Sequence, residues 1–191
     1  MKRSILLITF TLSALTVASA PSDAASKKIH FQQSRALIDF ASVETRVLTA
    51  ALSAREFDYG LTEKLASSLS TAVAQAKKHV DVTTDLLEES ETKLSPKLKE
   101  LRTALVDAER QLESLSKDLL NQVKPYMDFV ENDEGEGDVE APPQPNWAAL
   151  KKHVAWVAQD LKKASKLHRN LSGRLRLKKL PVLRKPKGKR N

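Results

Sequence analysis

Residues 94–129 read LSPKLKELRTALVDAERQLESLSKDLLNQVKPYMDF, and this stretch decides the fold. Taking every third and then every fourth position gives Leu94, Leu98, Leu101, Leu105, Ala108, Leu112, Leu115, Leu119, Gln122, Tyr126 and Phe129, with charged or polar residues at most positions between. Such spacing holds one apolar seam on one side of an α-helix, and a seam of about five heptads has to be buried against other helices. Ser95-Pro96 reads as the start of this helix: the serine hydroxyl takes a free backbone N–H, and proline occupies the first helical position, where no donor is needed. Pro125 removes a donor and crowds the preceding turn, which predicts a kink or stop around Asn121 to Lys124, with the seam continuing in phase through Tyr126 and Phe129.

Outward from this segment, the partners for the seam lie on both sides. From Lys27 to Phe57 there is no Gly or Pro, and apolar residues at Ala36, Phe40, Val43, Val47, Ala50, Ala54 and Phe57 predict helix one. Asp58-Tyr59-Gly60 supplies the break, with Thr62 as N-cap of helix two, which runs to about Thr92 with Leu65, Leu69, Val73, Ala76, Val80 and Leu87 on one side. Helices one to three thus occupy residues 27–130. Residues 131–145 combine six acids, two glycines and three prolines, a composition that cannot bury a core face and reads as an extended acidic loop. Asn146 is an N-cap for a fourth helix over 146–177, with Trp147, Leu150, Val154, Val157, Leu161, Ala164, His168, Leu171 and Leu175 at 3-4 spacing. Gly173 ends or loosens it, and the tail 178–191, rich in Lys, Arg and Pro, is expected to be disordered on its own.

Helices of about 30 residues, each about 45 Å long, joined by two short turns and one longer loop favour an all-α, antiparallel, up-down-up-down four-helix bundle with heptad packing. A helical hairpin that dimerises would use the same stripes, so a homodimer is the rival architecture.

The chain starts Met1-Lys2-Arg3, is apolar from Ile5 to Val17 and reaches Ala18-Ser19-Ala20. A basic start, short apolar run and small-residue end read as a signal peptide over 1–20, with cleavage between 18 and 25, so the protein is expected to be exported. The roughly 170 residues that remain are enough for one packed domain. No later segment is apolar enough to span a bilayer. With no cysteine in an oxidising compartment, the fold must hold by packing alone, which favours a bacterial periplasm or envelope over a secreted eukaryotic setting.

Charge is concentrated at one end. Residues 1–145 hold 17 Lys or Arg against 23 Asp or Glu, whereas residues 146–191 hold 15 against the single Asp160. Lys162, Lys163, Lys166, Arg169, Arg174 and Arg176 on the fourth helix, with Lys178, Lys179, Arg184, Lys185, Lys187, Lys189 and Arg190 in the tail, form the candidate polyanion-binding set. For an exported protein the matching partners are lipid headgroups, lipopolysaccharide, anionic wall polymers and extracellular nucleic acid. The aromatics fall mostly on apolar seams and supply no platform for stacking bases.

Enzyme signatures are missing: there is no Cys, no G-x-S-x-G, no H-E-x-x-H and no glycine-rich phosphate loop. This favours a non-enzymatic binding or scaffolding role, with no cofactor. Folding the helices about their turns puts His168 level with Glu109, His79 and the span from Asp39 to Glu44, which makes His79, His168, Glu109 and Glu44 the candidate metal layer. No Glu-x-x-His pair of the di-iron type accompanies them, and a polar interruption of the seam is the simpler reading of His168. A metal-binding bundle or an enzyme therefore stands behind the binding role.

Glu91-Thr92-Lys93-Leu94-Ser95-Pro96-Lys97-Leu98-Lys99 resembles segments of exchangeable apolipoproteins, exported cysteine-free helix bundles that open onto lipid. The likeness covers nine residues and implies a lipid carrier, although the seams here are narrower than the broad apolar faces such helices use.

Overall fold

The computed structural model describes residues 23–87, 89–132 and 141–175. Residues 1–22, where the signal peptide is expected, most of the acidic loop and the basic tail lie outside the described residues. Everything regular in the described residues is helical: α1 (Asp23–Ala51), α2 (Tyr59–Asp85), a 3-10 turn (Glu89–Leu94), α3 (Ser95–Asp118), a π-helical turn (Leu119–Val123), α4 (Lys124–Asn132) and α5 (Trp147–Arg174). The π turn makes α3 and α4 one continuous rod, so four long rods build the structure. They pack in a ring, α1 on α2, α2 on α3, α3 on α5 and α5 back on α1.

The core is continuous from end to end and almost wholly Leu, Val, Ile and Ala, with Phe31 the one buried aromatic among the described apolar residues. Along α3 the expected seam is the buried one: Leu98, Leu101, Leu105, Ala108, Leu112 and Leu115 are all at 0 % exposure. Along α5, Leu150, Val154, Val157, Leu161, Ala164, His168 and Leu171 are buried, while Trp147 is half-buried against Phe57, edge to face at 4.9 Å. On α2, Leu69, Val73, Ala76 and Val80 are buried as expected, joined by Thr62, Ala66, Ala72 and Thr83.

Five boundaries and two phases differ from the sequence reading, the first being that α1 begins at Asp23, about one turn before Lys27. Helix α1 stops at Ala51, and its buried face is Phe31, Ser34, Ile38, Ala41, Thr45, Leu48 and Leu52, roughly opposite the predicted stripe. The polar members fit because their hydroxyls bond within the helix: Ser34 Oγ donates to the Phe31 carbonyl (2.8 Å) and Thr45 Oγ1 to that of Ala41 (2.7 Å). The predicted stripe is left outside, with Phe40 39 %, Val43 57 % and Val47 44 % exposed. Phe57 belongs to the connection, not to the helix.

The N-cap of α2 is Asp58, whose carboxylate accepts from the Leu61 N–H at 2.8 Å, rather than Thr62, and Gly60 lies inside the first turn. Helix α2 ends at Asp85, about two turns before Thr92, and a 3-10 turn follows from Glu89. That turn leads straight into α3, so Ser95 is the first helical residue and no side chain caps the start. At α5 the expected cap is present: Asn146 Oδ1 accepts from the Ala149 N–H at 3.0 Å.

The second phase change comes at Pro125. Having no N–H, it cannot bond back to the Asn121 carbonyl, and the backbone widens just before it: the Lys124 N–H reaches Leu119 O, five residues back. The extra residue rotates the rest of the rod, so that Val123, not Gln122, is buried and Met127 packs on the core. Tyr126 and Phe129 are only half-buried. The helix is re-registered rather than stopped.

Candidate functional site

The cationic side of α5 results from helix geometry. At 100° per residue, Lys151, Lys152, Lys162, Lys163, Lys166, Arg169 and Arg174 fall within an arc of about 140°, centred opposite the buried seam. All seven are exposed. Elsewhere on the protein three cations are matched with acids: Arg35 bonds Asp39 at 2.7 Å, Arg102 bonds Asp81 at 2.7 Å across α3 and α2, and Lys77 bonds Glu109. On α5 none of the seven has an ion-pair partner among the described residues. Asp160, at the edge of the arc, is the one acid of the helix; burial and Asp107 raise its carboxyl pKa, with Lys163 opposing them. Toward the start of α5, Lys152 Nζ stands 4.7 Å from the centre of the Trp156 ring, which is 38 % exposed. Arg176 and the tail residues Lys178, Lys179, Arg184, Lys185, Lys187, Lys189 and Arg190 lie outside the described residues.

The four candidate metal ligands are not brought together. His168 is buried between α5 and α1, its ring stacked on Phe31 and its Nε2 2.7 Å from the Phe31 carbonyl and 3.1 Å from Ser34 Oγ. The carbonyl can only accept, so Nε2 carries the proton, and Nδ1 is left buried without a partner. His79 on α2 pairs instead with His30 of α1, Nδ1 to Nδ1 at 2.9 Å, one ring donating and the other accepting. Glu109 is engaged by Lys77, and Glu44 stands half-buried on α1 with its pKa raised by burial. Among the described residues no group of three or more His, Asp or Glu side chains converges on a point that could hold a metal ion.

On α1 the level differs from the expected one for a definite reason. With α1 ending at Ala51 instead of Phe57, the fold-back point shifts, and Phe31 and Ser34 come level with His168 where the span from Asp39 to Glu44 was expected.

Three contributors are not singled out by the sequence. His30 is the α1 partner of His79 and Ser34 that of His168, yet a lone His and a mid-helix Ser carry no signal until the helix register is known. His153 likewise bonds Gln111 Oε1 at 2.9 Å and lies 3.4 Å from Asp118. Burial lowers the pKa of both His168, to about 4, and His79. For His168 the Phe31 carbonyl partly offsets burial, Arg35 deepens the effect and Asp39 opposes it.

An open groove of about 780 Å³ runs between α2 and the π turn, walled by Tyr59, Ala66, Ser70, Ala74, Leu119 and Leu120. Its lining is small and apolar or hydroxylic, with Glu63 and Lys64 at one end. None of the described helices is long and apolar enough to cross a membrane. Comparison with protein-family models, with curated proteins and with solved structures gives no match to this chain.

Proposed function

We propose that this chain is an exported, non-enzymatic, antiparallel up-down-up-down helical bundle that binds or scaffolds by laying the cationic side of α5 and the basic tail against an anionic surface or polymer. The heptad seams on α3 and α5 and the cross-helix levels 31 with 168, 77 with 109 and 81 with 102 support the bundle. The observation that carries the binding role is the row of seven exposed Lys and Arg on one arc of α5, none with an ion-pair partner among the described residues. A cation tied to a neighbouring carboxylate gains little by meeting a polyanion. One standing alone in water gains of order 1 kcal/mol at an anionic membrane surface, and several on one straight face add up.

The test is co-sedimentation of the full chain with vesicles of anionic and of neutral lipid at rising salt. Binding should be selective for the anionic vesicles, fall steeply with salt and be lost when residues 178–191 are deleted. Equal binding to neutral vesicles, or binding unchanged by the deletion, would overturn the proposal.

A further inference from the structure

Helix α1 carries two apolar stripes, and the fold buries only one. On its outer side Ile29, Gln33, Ala36, Phe40, Val43, Val47 and Ala50 succeed one another at alternating steps of four and three, and all seven are exposed. Half of the exposed large hydrophobic side chains of the described protein lie on this line: Ile29, Phe40, Val43 and Val47, against Leu61, Leu120, Val130 and Trp156 elsewhere. The line is about 30 Å long at 1.5 Å per residue and independent of the cationic side of α5. A 3-4 stripe, which winds by only about 20° per heptad, is the pattern that packs against a second helix of the same kind.

We infer that this face is a self-association surface, on which α1 of one copy packs antiparallel against α1 of a second. The charges beside the stripe choose the direction. In the heptad frame set by the stripe, Asp39 and Arg46 occupy the exposed flank and Glu44 the flank pressed toward the protein. Parallel pairing would bring Asp39 against the partner's Glu44, like against like. Antiparallel pairing in the register that sets Phe40 opposite the partner's Val43, and Ala36 opposite the partner's Val47, brings Asp39 within reach of the partner's Arg46, twice by symmetry. Arg46 has no ion-pair partner within its own chain among the described residues, and Asp39, bonded to Arg35, is 53 % exposed and can accept a second cation. The contact is isologous and closes after two copies. One helix face is a narrow footprint, below the roughly 1,200–2,000 Å² of stable complexes, so the dimer is a weak one that forms with rising concentration.

Sedimentation equilibrium of the full chain from about 10 µM to about 1 mM tests this. The average mass should rise from 21.2 kDa toward twice that value. Val43→Glu should weaken association at least tenfold with far-ultraviolet circular dichroism unchanged, because Val43 faces water in the single copy. Asp39→Arg alone should also weaken it, and Asp39→Arg with Arg46→Asp should restore it. A mass that stays monomeric throughout, association indifferent to Val43→Glu, or a double variant no better than the single one would overturn the inference. Binding of neutral lipid vesicles by a monomeric protein, lost in Val43→Glu, would assign the stripe to lipid and overturn it as well.

Discussion

The imidazole of His168 lies flat on the ring of Phe31, centroids 3.7 Å apart and planes 15° from parallel, while its Nε2 donates to the carbonyl of that same residue at 2.7 Å. One residue of α1 thus receives both the face and the edge of a side chain from α5. The arrangement suits a neutral ring, because it provides one acceptor at Nε2 and nothing for a proton on Nδ1.

Acid should therefore loosen this layer. The folded His168 titrates near 4 against 6.5 for a free histidine, so the unfolded chain binds its proton first as pH falls. The contribution is complete above about pH 6.5, declines through the interval down to about pH 4 and is flat below, for a total of roughly 3 kcal/mol. His79, also lowered, acts in the same direction. Urea unfolding at pH 7.5 and pH 5 should differ by about 2 kcal/mol more in the parent than in His168→Gln, whose amide can still donate to Phe31 O. Equal pH dependence in the two proteins would show that His168 is not held neutral by its surroundings.

The two faces of α1 give opposite expectations for nearby positions. Ile38→Ala removes a side chain at 0 % exposure and should cost about 2–5 kcal/mol. Phe40→Ala, on the outer stripe, should change stability by no more than about 1 kcal/mol at low protein concentration. Thermal unfolding of both variants decides which stripe the core uses, since reversed costs would place α1 in the other phase.

How much was legible in the sequence depends on what each helix offers. Helices α3 and α5 present one apolar stripe each, so spacing alone identified nearly every buried residue. In α1 two stripes compete, and the buried one contains Ser34 and Thr45, which look polar in a sequence yet lose little on burial because each hydroxyl bonds a carbonyl one turn back. Pattern reading rewarded the stripe without polar members and chose the wrong side. The error then propagated: a helix end displaced by six residues moved the level at which α1 meets His168, and with it the supposed metal layer. The cationic face of α5 was legible because like charges on one arc need no tertiary information, whereas the absence of ion-pair partners did.

The π turn before Pro125 makes a further distinction measurable. Had the seam continued in phase, Gln122 would point inward and Gln122→Leu would stabilise the protein. In the structure Val123 is the buried residue, and the Gln122 amide bonds Asp118 at 2.9 Å while its oxygen accepts from the Asn146 N–H at 3.2 Å, tying the π turn to the start of α5. Gln122→Leu should thus cost about 1 kcal/mol, and Val123→Ala about 1.5–3 kcal/mol. Chemical denaturation of the pair gives both signs in one experiment.

Charge removal on α5 should separate binding from stability. Lys162, Lys166 and Arg169 lie within about 60° of one another on the exposed arc and touch no acid within ion-pair distance among the described residues, so the triple Ala variant should unfold within about 1 kcal/mol of the parent. At roughly 1 kcal/mol per cation, its affinity for anionic vesicles should nevertheless fall by on the order of 100-fold at low salt, with a shallower salt dependence. Lys77→Ala is the matched control. Its ammonium is engaged by Glu109 across α2 and α3, so removing it should leave vesicle affinity unchanged and act only on unfolding, by about 1–3 kcal/mol, because it leaves the partly buried Glu109 unpaired. If the triple variant binds as well as the parent, or if Lys77→Ala weakens binding equally, the attraction comes from overall charge and α5 has no special part in it.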